Sequence, residues 1–482
     1  MTKKIVIEPI TRVEGTGKVT IDLDDSGKVS RARLHILEFR GFERFIQSRP
    51  YWEVPVVVQR LCGICPVSHH LAAAKAIDEI VGVGHGEISV LAEKMRRLMH
   101  YGQVFQSHAL HFFYLAAPDL LLGIESDYHS RNIVGLVLEN PALAKKGVDM
   151  RMFGQHIIKA TAGKRIHGIS AVPGGIHKTL SIEERDSFLD GKLYPSIDTM
   201  IDWVQETIEY YKDYHKKHQE WIDAFAFDPA NSLSLRGKNG ELDLYHGDLH
   251  CVDPEGKVLL DMVDYHDYNK VLAERTETWS YMKFPYIREL GKEHGWYRVG
   301  PLARLNVCDY IPTPLAQKEF EAFRAYTGGK PNHMTMHTHM ARLIEILHCC
   351  EMIKQLLHDG DLQDGELTRK GTRRSEGIGL IEAPRGTLFH HYAVDDKDAV
   401  TSCNLIVSTT NNNIAMNRVV QWVAENEISE KPKVTEGMLN KVEVAIRAYD
   451  PCLSCATHAI GKMPLRVSIF DAKGQLIDEN EK

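Results

Sequence analysis

Two Cys-x-x-Cys pairs near opposite ends of the 482-residue chain constrain its fold more than any other feature. Cys62 and Cys65 form the first pair, and Cys452 and Cys455 form the second. Thiolates bind soft and borderline metals, and four that converge complete a coordination shell. A local zinc knuckle does not need almost the whole chain between its two halves. The sequence therefore predicts a fold that brings both ends together around a metal, with structural zinc or two unrelated thiol pairs as alternatives.

Four thiols leave the number of metal ions open. A thiolate can bridge two metals, so a binuclear centre is compatible with the same residues. An open coordination position would make the centre catalytic rather than structural. Each pair also carries its own histidine, His69 after the first pair and His458 after the second.

The composition is that of a globular protein and argues against several classes of partner. Hydrophobic residues make up 43% of the sequence, and the net charge of −7 comes from interspersed acidic and basic residues. This pattern argues against nucleic acid or a polybasic membrane surface. No apolar run reaches the ~18–20 residues of a transmembrane segment, and Met1–Pro9 turns acidic before a secretory signal can form. We expect a cytoplasmic protein whose nine cysteines stay reduced.

Hydrophobic periodicity predicts one large domain, residues 1–482, of the mainly α (α+β) class. Residues 4–40 alternate as strands and predict a small N-terminal β-sheet. A long buried helix is predicted over 88–117, interrupted or ended at Pro118-Asp119. Residues 228–310 are predicted to form an irregular insertion or a small β-containing lobe. Further helical patterns, which together predict a long central bundle, cover 131–160, 181–225, 315–358, 412–425 and 436–448.

Six motifs in a fixed order give a more specific signal. They are Arg12-Val13-Glu14-Gly15, Phe39-Arg40-Gly41-Phe42-Glu43, Arg60-Leu61-Cys62-Gly63-Ile64-Cys65-Pro66-Val67-Ser68-His69, His337-Thr338-His339-Met340-Ala341-Arg342-Leu343-Ile344-Glu345, Glu382-Ala383-Pro384-Arg385-Gly386 and Asp450-Pro451-Cys452-Leu453-Ser454-Cys455-Ala456-Thr457-His458. The set resembles the large subunit of nickel–iron hydrogenases. That resemblance implies the hydrogenase large-subunit fold and the reversible cleavage of dihydrogen.

The resemblance also implies how the cofactor is held. Nickel would be bound by all four thiolates, with Cys62 and Cys452 as terminal ligands. Cys65 and Cys455 would also bridge to an iron that carries carbonyl and cyanide ligands. Dihydrogen would be split heterolytically at the open position on nickel, and a terminal thiolate would be the first proton acceptor.

Several other residues take roles from the same resemblance. Glu14 would relay the proton away from a terminal thiolate. Arg385, which follows Pro384 at the cofactor, would place its guanidinium above the open site. Asp119 and Asp450 would hold that arginine by charge-assisted hydrogen bonds.

The remaining residues implied by the resemblance would lie at the periphery of the metal centre. Thr409 would donate a hydrogen bond to a cyanide, and His69 would hydrogen-bond a bridging thiolate. Glu43 and His458 would bind a magnesium-like ion at the foot of the C-terminal segment, together with a backbone carbonyl and waters.

The chain has no further cysteine cluster for iron–sulfur centres, so a partner must carry the electrons away. The resemblance supplies an iron–sulfur small subunit, and the motifs are most similar to the cytosolic, bidirectional branch, whose flavin module uses a nicotinamide nucleotide. Deazaflavin or ferredoxin as acceptor stays open. A complex-I-like quinone-site subunit is the alternative without metal, but it does not need four thiolates.

The tail after the last motif generates the first testable prediction. Met463–Phe470 and Gln475–Ile477 predict a hairpin, and the family implies nickel-insertion proteins and a protease that cuts after the final histidine once nickel is loaded. We expect cleavage between His458 and Ala459, because removal of the tail lets the second cysteine pair fold inward and close the core. The intact mass of the large subunit from active complex measures this. A full-length mass with full activity would contradict it.

Overall fold

The structure, a computed structural model, describes residues 3–84, 86–457, 466–470 and 475–481. The helices of the first half are α1 (Phe42–Ile46), α2 (Val54–Val57), α3 (Pro66–Ile80), α4 (Val90–Leu110), α5 (Ala117–Leu122), α6 (Ile133–Glu139), α7 (Pro141–Ala162), α8 (Ile182–Leu189), α9 (Ile197–Lys217) and α10 (Gln219–Ala224). Those of the second half are α11 (Tyr268–Val271), α12 (Gly291–His294), α13 (Pro301–Val307), α14 (Pro314–Tyr326), α15 (Thr338–Leu357), α16 (Ser408–Asn411), α17 (Asn413–Val423) and α18 (Glu436–Ala448). The predicted mainly helical class is confirmed.

Strands form several small sheets around the helices. They are β1 (Lys3–Ile7), β2 (Gly17–Leu23), β3 (Val29–Ile36), β4 (Ala171–Val172), β5 (Gly175–Ile176), β6 (Asn231–Arg236), β7 (Asp248–Val252), β8 (Val258–Val263), β9 (Leu272–Glu277), β10 (Ser280–Ile287), β11 (Tyr297–Arg298), β12 (Glu376–Ala383), β13 (Gly386–Val394), β14 (Val400–Ile406), β15 (Arg466–Phe470) and β16 (Leu476–Glu481). The predicted N-terminal sheet is the antiparallel set β1-β2-β3. The predicted tail hairpin is β15-β16, whereas the cleavage position at His458–Ala459 lies outside the described residues.

The central bundle consists of α4, α7, α9 and α15, in which α7 packs on α4, α4 on α15, and α15 on α9. Two glycines let α4 and α7 approach closely, because a Cβ on Gly154 would lie 2.6 Å from the carbonyl oxygen of Gly102. The interruption predicted at Pro118 is a π-helical segment, His111–Ala116, after which helical structure resumes as α5. Pro118 lies in the first turn of α5, where a missing N–H leaves no carbonyl unpaired.

Residues 228–310, predicted as an irregular insertion or a small β-containing lobe, form a β-rich lobe. The order β11-β6-β7-β8 forms one sheet, and β9 and β10 form a separate hairpin. Its strands are short, and register shifts interrupt both the β7-β8 and the β9-β10 pairing. Such interruptions break the period-two pattern on which strand prediction depends.

Helix α3 lies directly on the sheet β12-β13-β14 and thereby places the first cysteine pair. A Cβ on Gly377 would lie 2.0 Å from the carbonyl oxygen of Ala76, and one on Gly379 would lie 2.1 Å from that of Ala72. Glycine at both positions is therefore required for this contact. Cys65 is the residue immediately before α3, and Pro66 occupies its first turn.

The two ends of the chain meet at the same place. Thr435 caps α18 by accepting a hydrogen bond from Met438 N at 3.3 Å. The chain leaves α18 towards Cys452, which pairs with Glu14 as an isolated parallel bridge. The amide of Leu453 donates to the carbonyl oxygen of Glu14 at 2.9 Å. The N-terminal strand region is thus bonded to the second cysteine pair.

Among the described residues, no helix is both long and apolar enough to cross a membrane.

The contact between α3 and its sheet gives a stability prediction. Gly379→Ala would force a methyl group into the backbone of α3, so we expect the free energy of unfolding to fall by about 1–3 kcal/mol. Gly360→Ala is the matched control, because a Cβ there meets no atom within 4 Å. The thermal unfolding midpoint of the purified complex measures both. A midpoint for Gly379→Ala equal to that of Gly360→Ala would contradict the packing described here.

Candidate metal centre

The four predicted cysteines converge in the structure. Their sulfur atoms all lie within 4.8 Å of one another, and all four residues are buried. The Cys62 sulfur lies 3.0 Å from that of Cys65 and 3.4 Å from that of Cys452. The sulfurs of Cys452 and Cys455 are in direct contact. Four sulfurs in this space match the donor set of a soft or borderline metal.

Local backbone structure presents each thiol to the centre. Cys62 ends a 3-10 turn in an extended conformation, and its sulfur accepts hydrogen bonds from the amides of Ile64 at 3.2 Å and Cys65 at 3.0 Å. Cys455 lies in a second 3-10 turn, Ser454–Ala456. Amide donors aimed at a sulfur favour its thiolate form, which is the form that binds metal.

The electrostatics of the first pair also favour a thiolate. Burial opposes ionisation of Cys62, but the hydrogen bond from Cys65 and the positive charge of Arg385 outweigh it, so the pKa of Cys62 is lowered. The hydrogen bond to Cys62, together with burial, raises the pKa of Cys65. The pair thus shares a proton that a bound metal would displace.

A small cavity lies beside the thiols. Its lining includes the side chains of Cys65, His69, Pro384, Arg385, Thr409 and Cys452. Six residues named in the sequence analysis therefore line one cavity.

Arg385 is fixed at one side of this cavity by Asp450, as predicted. Arg385 Nε donates to the backbone carbonyl of Asp450 at 2.5 Å, and Nη2 donates to the Asp450 carboxylate at 3.1 Å. The third nitrogen, Nη1, is buried without a hydrogen-bond partner in the part of the chain that the structure describes. A buried donor needs an acceptor, so Nη1 fits a ligand oxygen or nitrogen inside the cavity.

Thr409 and His69 line the same cavity, and each makes a further contact with the protein. The Thr409 hydroxyl accepts a hydrogen bond from Cys452 N at 3.0 Å, which fixes the backbone of a ligand residue. His69 Nδ1 pairs with His390 Nε2 at 3.1 Å, and no hydrogen bond to a cysteine sulfur is present in the described chain. Burial, with Arg385 nearby, lowers the pKa of His69 to about 3, so its ring is neutral.

Glu14 contacts the second pair directly. The Cys452 sulfur donates to Glu14 Oε2 at 2.9 Å, and Ser454 N donates to the same oxygen at 3.2 Å. The Ser454 hydroxyl binds the other carboxylate oxygen. Ser454 was missed from sequence, although its place between the two cysteines of the pair is a signal. This geometry suits transfer of a proton between the Cys452 sulfur and a carboxylate.

The expected contact between Asp119 and Arg385 is wrong. Asp119 instead accepts hydrogen bonds from Arg12 Nη2 at 2.5 Å, Arg447 Nη1 at 2.9 Å and Asn440 Nδ2 at 3.1 Å. Two guanidinium groups that are closer to the carboxylate than Arg385 compensate its charge. Asp119 therefore anchors the N-terminal strand region to α18, and among the described residues Arg385 is held by Asp450.

Glu43 lies away from the four sulfurs, among other polar groups. Its Oε1 accepts from Leu405 N at 3.0 Å and from Lys283 Nζ at 3.4 Å, and Lys283 also pairs with Glu274 at 3.2 Å. His458, expected to share a divalent ion with Glu43, lies outside the described residues. The pairing of these two residues stays a prediction.

A second group of possible metal ligands is better explained by hydrogen bonds alone. Asp223 Oδ1 lies 2.9 Å from His215 Nε2 and 3.1 Å from His337 Nε2. Asn332 Oδ1 accepts from Met334 N, so its Nδ2 donates to His337 Nδ1 at 2.8 Å. A neutral His337 then carries its proton on Nε2 and donates it to Asp223. A metal-bound imidazole would need the opposite tautomer.

The four-thiol site therefore passes a chemical test for the implied cofactor. Four sulfurs lie within 4.8 Å of one another, one neighbouring carboxylate accepts a hydrogen bond from a cysteine sulfur, and one buried guanidinium nitrogen lacks an acceptor among the described residues. These are the groups that a nickel ion and an iron with small polar ligands would use.

Comparison with known families gives a consistent result. A model described as HoxL-like matches residues 4–39, and a model of the nickel-dependent hydrogenases matches residues 40–125 and 246–458. The stretches matched by the second model include all four cysteines.

Individual relatives extend over the full chain. The β subunit of the NAD-reducing hydrogenase HoxS from Cupriavidus necator is 52% identical over 100% of both chains. One subunit of the F420-non-reducing hydrogenase vhc from Methanococcus voltae is 41% identical, with 98% of each chain covered.

Solved structures agree with these relatives. The crystal structure of an NAD+-reducing NiFe hydrogenase in the H2-reduced state matches with a TM-score of 0.91 and 53% identity, over 95% of this chain and 100% of that one. A Ni-Fe-Se hydrogenase from D. vulgaris Hildenborough, 22% identical over 95% of this chain and 100% of that one, has a TM-score of 0.74 and shows the fold alone.

Fold and site together define a metalloenzyme subunit in which both ends of the chain contribute to a group of four buried cysteines able to hold a metal. The chain belongs to the nickel-dependent hydrogenase family, as a large, catalytic subunit.

The contacts of Asp119 predict a structural effect. Asp119→Asn would remove the anion that Arg12 and Arg447 share and leave Arg447 with Glu443 as its carboxylate partner at 2.6 Å. We therefore expect a loss of about 3–5 kcal/mol of stability at neutral pH. Burial opposes ionisation of Asp119, but Arg447 and Arg12 outweigh it and lower its pKa, so this stabilisation is lost as the pH falls through that lowered pKa.

Asp22→Asn is the matched control, because its partner Arg31 is exposed and such pairs contribute about 0–1 kcal/mol. Thermal unfolding of the complexes compares the two variants. Equal midpoints would show that Asp119 does not hold the two arginines together.

Proposed function

We propose that this subunit cleaves dihydrogen reversibly at a nickel–iron centre and passes the electrons through an iron–sulfur small subunit to a nicotinamide nucleotide. The observation that carries the proposal is the hydrogen bond between the Cys452 sulfur and Glu14 inside a cluster of four buried thiols. A structural zinc site does not need an acid–base group bonded to a ligand sulfur. A complex-I-like subunit without metal does not need the thiols.

The four cysteines would hold the cofactor in the arrangement implied by the family. Cys62 and Cys452 would be terminal on nickel, and Cys65 and Cys455 would bridge to an iron with carbonyl and cyanide ligands. When bound, the centre supplies an open metal position at which dihydrogen is polarised for heterolytic cleavage.

Arg385 acts on the same space from the protein side. Its guanidinium is fixed by Asp450 and, within the described chain, aims one unsatisfied N–H group into a buried cavity. A fixed cation at low dielectric stabilises negative charge far more than a mobile one in water. Thr409 would donate its hydroxyl proton to a second cyanide while accepting from Cys452 N.

Glu14 takes the proton from the terminal thiol. Transfer runs from the Cys452 sulfur to Glu14 Oε2 across 2.9 Å. Ser454 holds both oxygens of Glu14 through its amide and hydroxyl, so the carboxylate is oriented before it accepts the proton.

The choice of electron acceptor follows the relatives. The Cupriavidus necator relative is named for NAD reduction, and it is more similar to this chain than the F420-non-reducing relative from Methanococcus voltae. An NAD-linked enzyme needs flavin- and iron–sulfur-containing diaphorase-type subunits besides the small subunit. Nicotinamide nucleotides and reduced thiols are both intracellular, so we place the complex in the cytoplasm.

Maturation would complete the site. Nickel-insertion proteins would load the four thiols, a protease would then cut after His458, and the freed segment would reach Glu43. Magnesium binding by Glu43, His458, a carbonyl group and waters would displace Lys283 from Glu43 Oε1, which it contacts at 3.4 Å.

The proposed proton route is tested by Glu14→Gln. The amide keeps the shape but cannot accept the proton, so we expect hydrogen–deuterium exchange and dihydrogen oxidation to fall roughly 10²-fold or more with nickel retained. Glu8→Gln, an exposed carboxylate on the same N-terminal segment, is the control and should keep wild-type rates. Unchanged exchange in Glu14→Gln would remove Glu14 from the proton route.

The role of Arg385 is tested by Arg385→Lys. Lysine keeps the positive charge but lacks the planar guanidinium, which can bind Asp450 and a group in the cavity at the same time. We expect the variant to retain nickel and to lose roughly 10²-fold or more of its dihydrogen oxidation rate. Activity equal to that of the wild type would show that charge alone, without a fixed direction, is sufficient.

A further inference from the structure

Behind the cavity wall, three buried side chains form one line of hydrogen bonds. His69 Nδ1 lies 3.1 Å from His390 Nε2, and His390 Nδ1 lies 2.5 Å from the hydroxyl of Tyr392. All three side chains are almost fully buried. The line begins at the metal cavity, which His69 lines together with Cys65, and runs away from it into the sheet.

The fold brings these three residues together from one helix and one strand. His390 and Tyr392 are two residues apart on β13, so their side chains emerge on the same face of the strand. The cross-strand partner of His390 on β12 is Gly379, and the missing side chain there lets α3 lie against the sheet. His69, in the first turns of α3, therefore reaches His390 across the space above Gly379.

The protonation states of the line follow from its burial. Burial raises the pKa of Tyr392 well above its ordinary value, and the nearby Cys403 and Glu43 add to this, so its hydroxyl stays protonated. Burial, with the charges of Arg385 and Arg40, lowers the pKa of His69 and keeps its ring neutral. A neutral imidazole has one N–H group and one acceptor nitrogen.

These states select one direction of hydrogen bonding. Within the described residues, the bond to His390 is the one acceptor contact available to the Tyr392 hydroxyl proton, and an unpaired buried donor costs about 1–3 kcal/mol. Tyr392 therefore donates to His390 Nδ1, which places the His390 proton on Nε2. His390 then donates to His69 Nδ1, which places the His69 proton on Nε2.

We propose that Tyr392 and His390 are positioning residues that fix His69 as the Nε2–H tautomer, so that it donates a hydrogen bond to the metal centre. This inference rests on the proposed function, because it needs a thiolate or an iron ligand in the cavity as acceptor. Neither residue touches the cofactor itself. Their effect is to hold a neutral donor at a fixed orientation and so to withdraw electron density from the centre.

The test uses the infrared bands of the carbonyl and cyanide ligands in the purified complex of large and small subunits. Tyr392→Phe keeps the ring but releases the tautomer of His390 and hence of His69. A weaker hydrogen bond leaves more electron density on iron, which strengthens back-donation into the carbonyl ligand. We expect the carbonyl band to shift to lower frequency, or a second band to appear there, with nickel content unchanged.

Three variants separate orientation from packing. His390→Gln retains an amide N–H donor towards His69 and should keep the wild-type band, whereas His390→Leu should reproduce the shift of Tyr392→Phe. His391→Gln, on the opposite face of β13 where His391 binds Glu376 at 2.6 Å, should change nothing.

The outcomes are decisive in both directions. An unshifted carbonyl band in Tyr392→Phe overturns the proposal, and so does a Tyr392→Phe subunit that fails to load nickel, since that result assigns the hydroxyl to assembly. Absence of carbonyl and cyanide bands in the wild-type complex instead overturns the proposed cofactor.

Discussion

The bond between the two ends of the chain is the interaction on which the site depends. Glu14 binds the second cysteine pair through its carbonyl oxygen to Leu453 N, through Oε2 to Ser454 N, and through Oε2 to the Cys452 sulfur. The same carboxylate that positions Cys452 is the one suited to take its proton. Structure and chemistry at this point therefore cannot be changed independently.

Buried ion pairs connect the other elements around the site. Arg304 binds both oxygens of Glu345 at 2.6 Å and one oxygen of Glu382 at 2.8 Å, with no solvent exposure of these side chains. The three residues join α13, α15 and β12, so the helix bundle and the sheet next to Arg385 are tied by one cation. Removal of Arg304 would leave two buried carboxylates without the cation that they share.

Sequence alone predicted the parts of the site in which chemistry and spacing are local. The four cysteines, Glu14 and the Arg385–Asp450 pair stand in short motifs whose residue types have few other uses. The predicted contact between Asp119 and Arg385 was wrong because a buried carboxylate binds the guanidinium that the fold brings closest. Arg12 and Arg447, which take that place, come from distant segments of the chain. That choice is made by tertiary packing, which a motif does not encode.

The same limit applied to the fold. The long periodic helices and the N-terminal sheet were predictable, because each repeats its pattern over several turns or strands. For residues 228–310 the sequence left an irregular insertion and a small β-containing lobe open, because the strands there are short and interrupted by register shifts. The line of hydrogen bonds from His69 to Tyr392 could not be predicted either, because it joins a helix to a strand more than three hundred positions later.

The most direct test of the account is the nickel content of the large subunit, measured by elemental analysis of the wild-type complex and of Cys62→Ser and Cys452→Ser. Nickel equimolar with the wild-type large subunit, lost in both variants together with dihydrogen oxidation, is the predicted result, because an alcohol of high pKa cannot replace a thiolate. Zinc in place of nickel in the wild type, or either variant with nickel and near-normal dihydrogen oxidation, would contradict it.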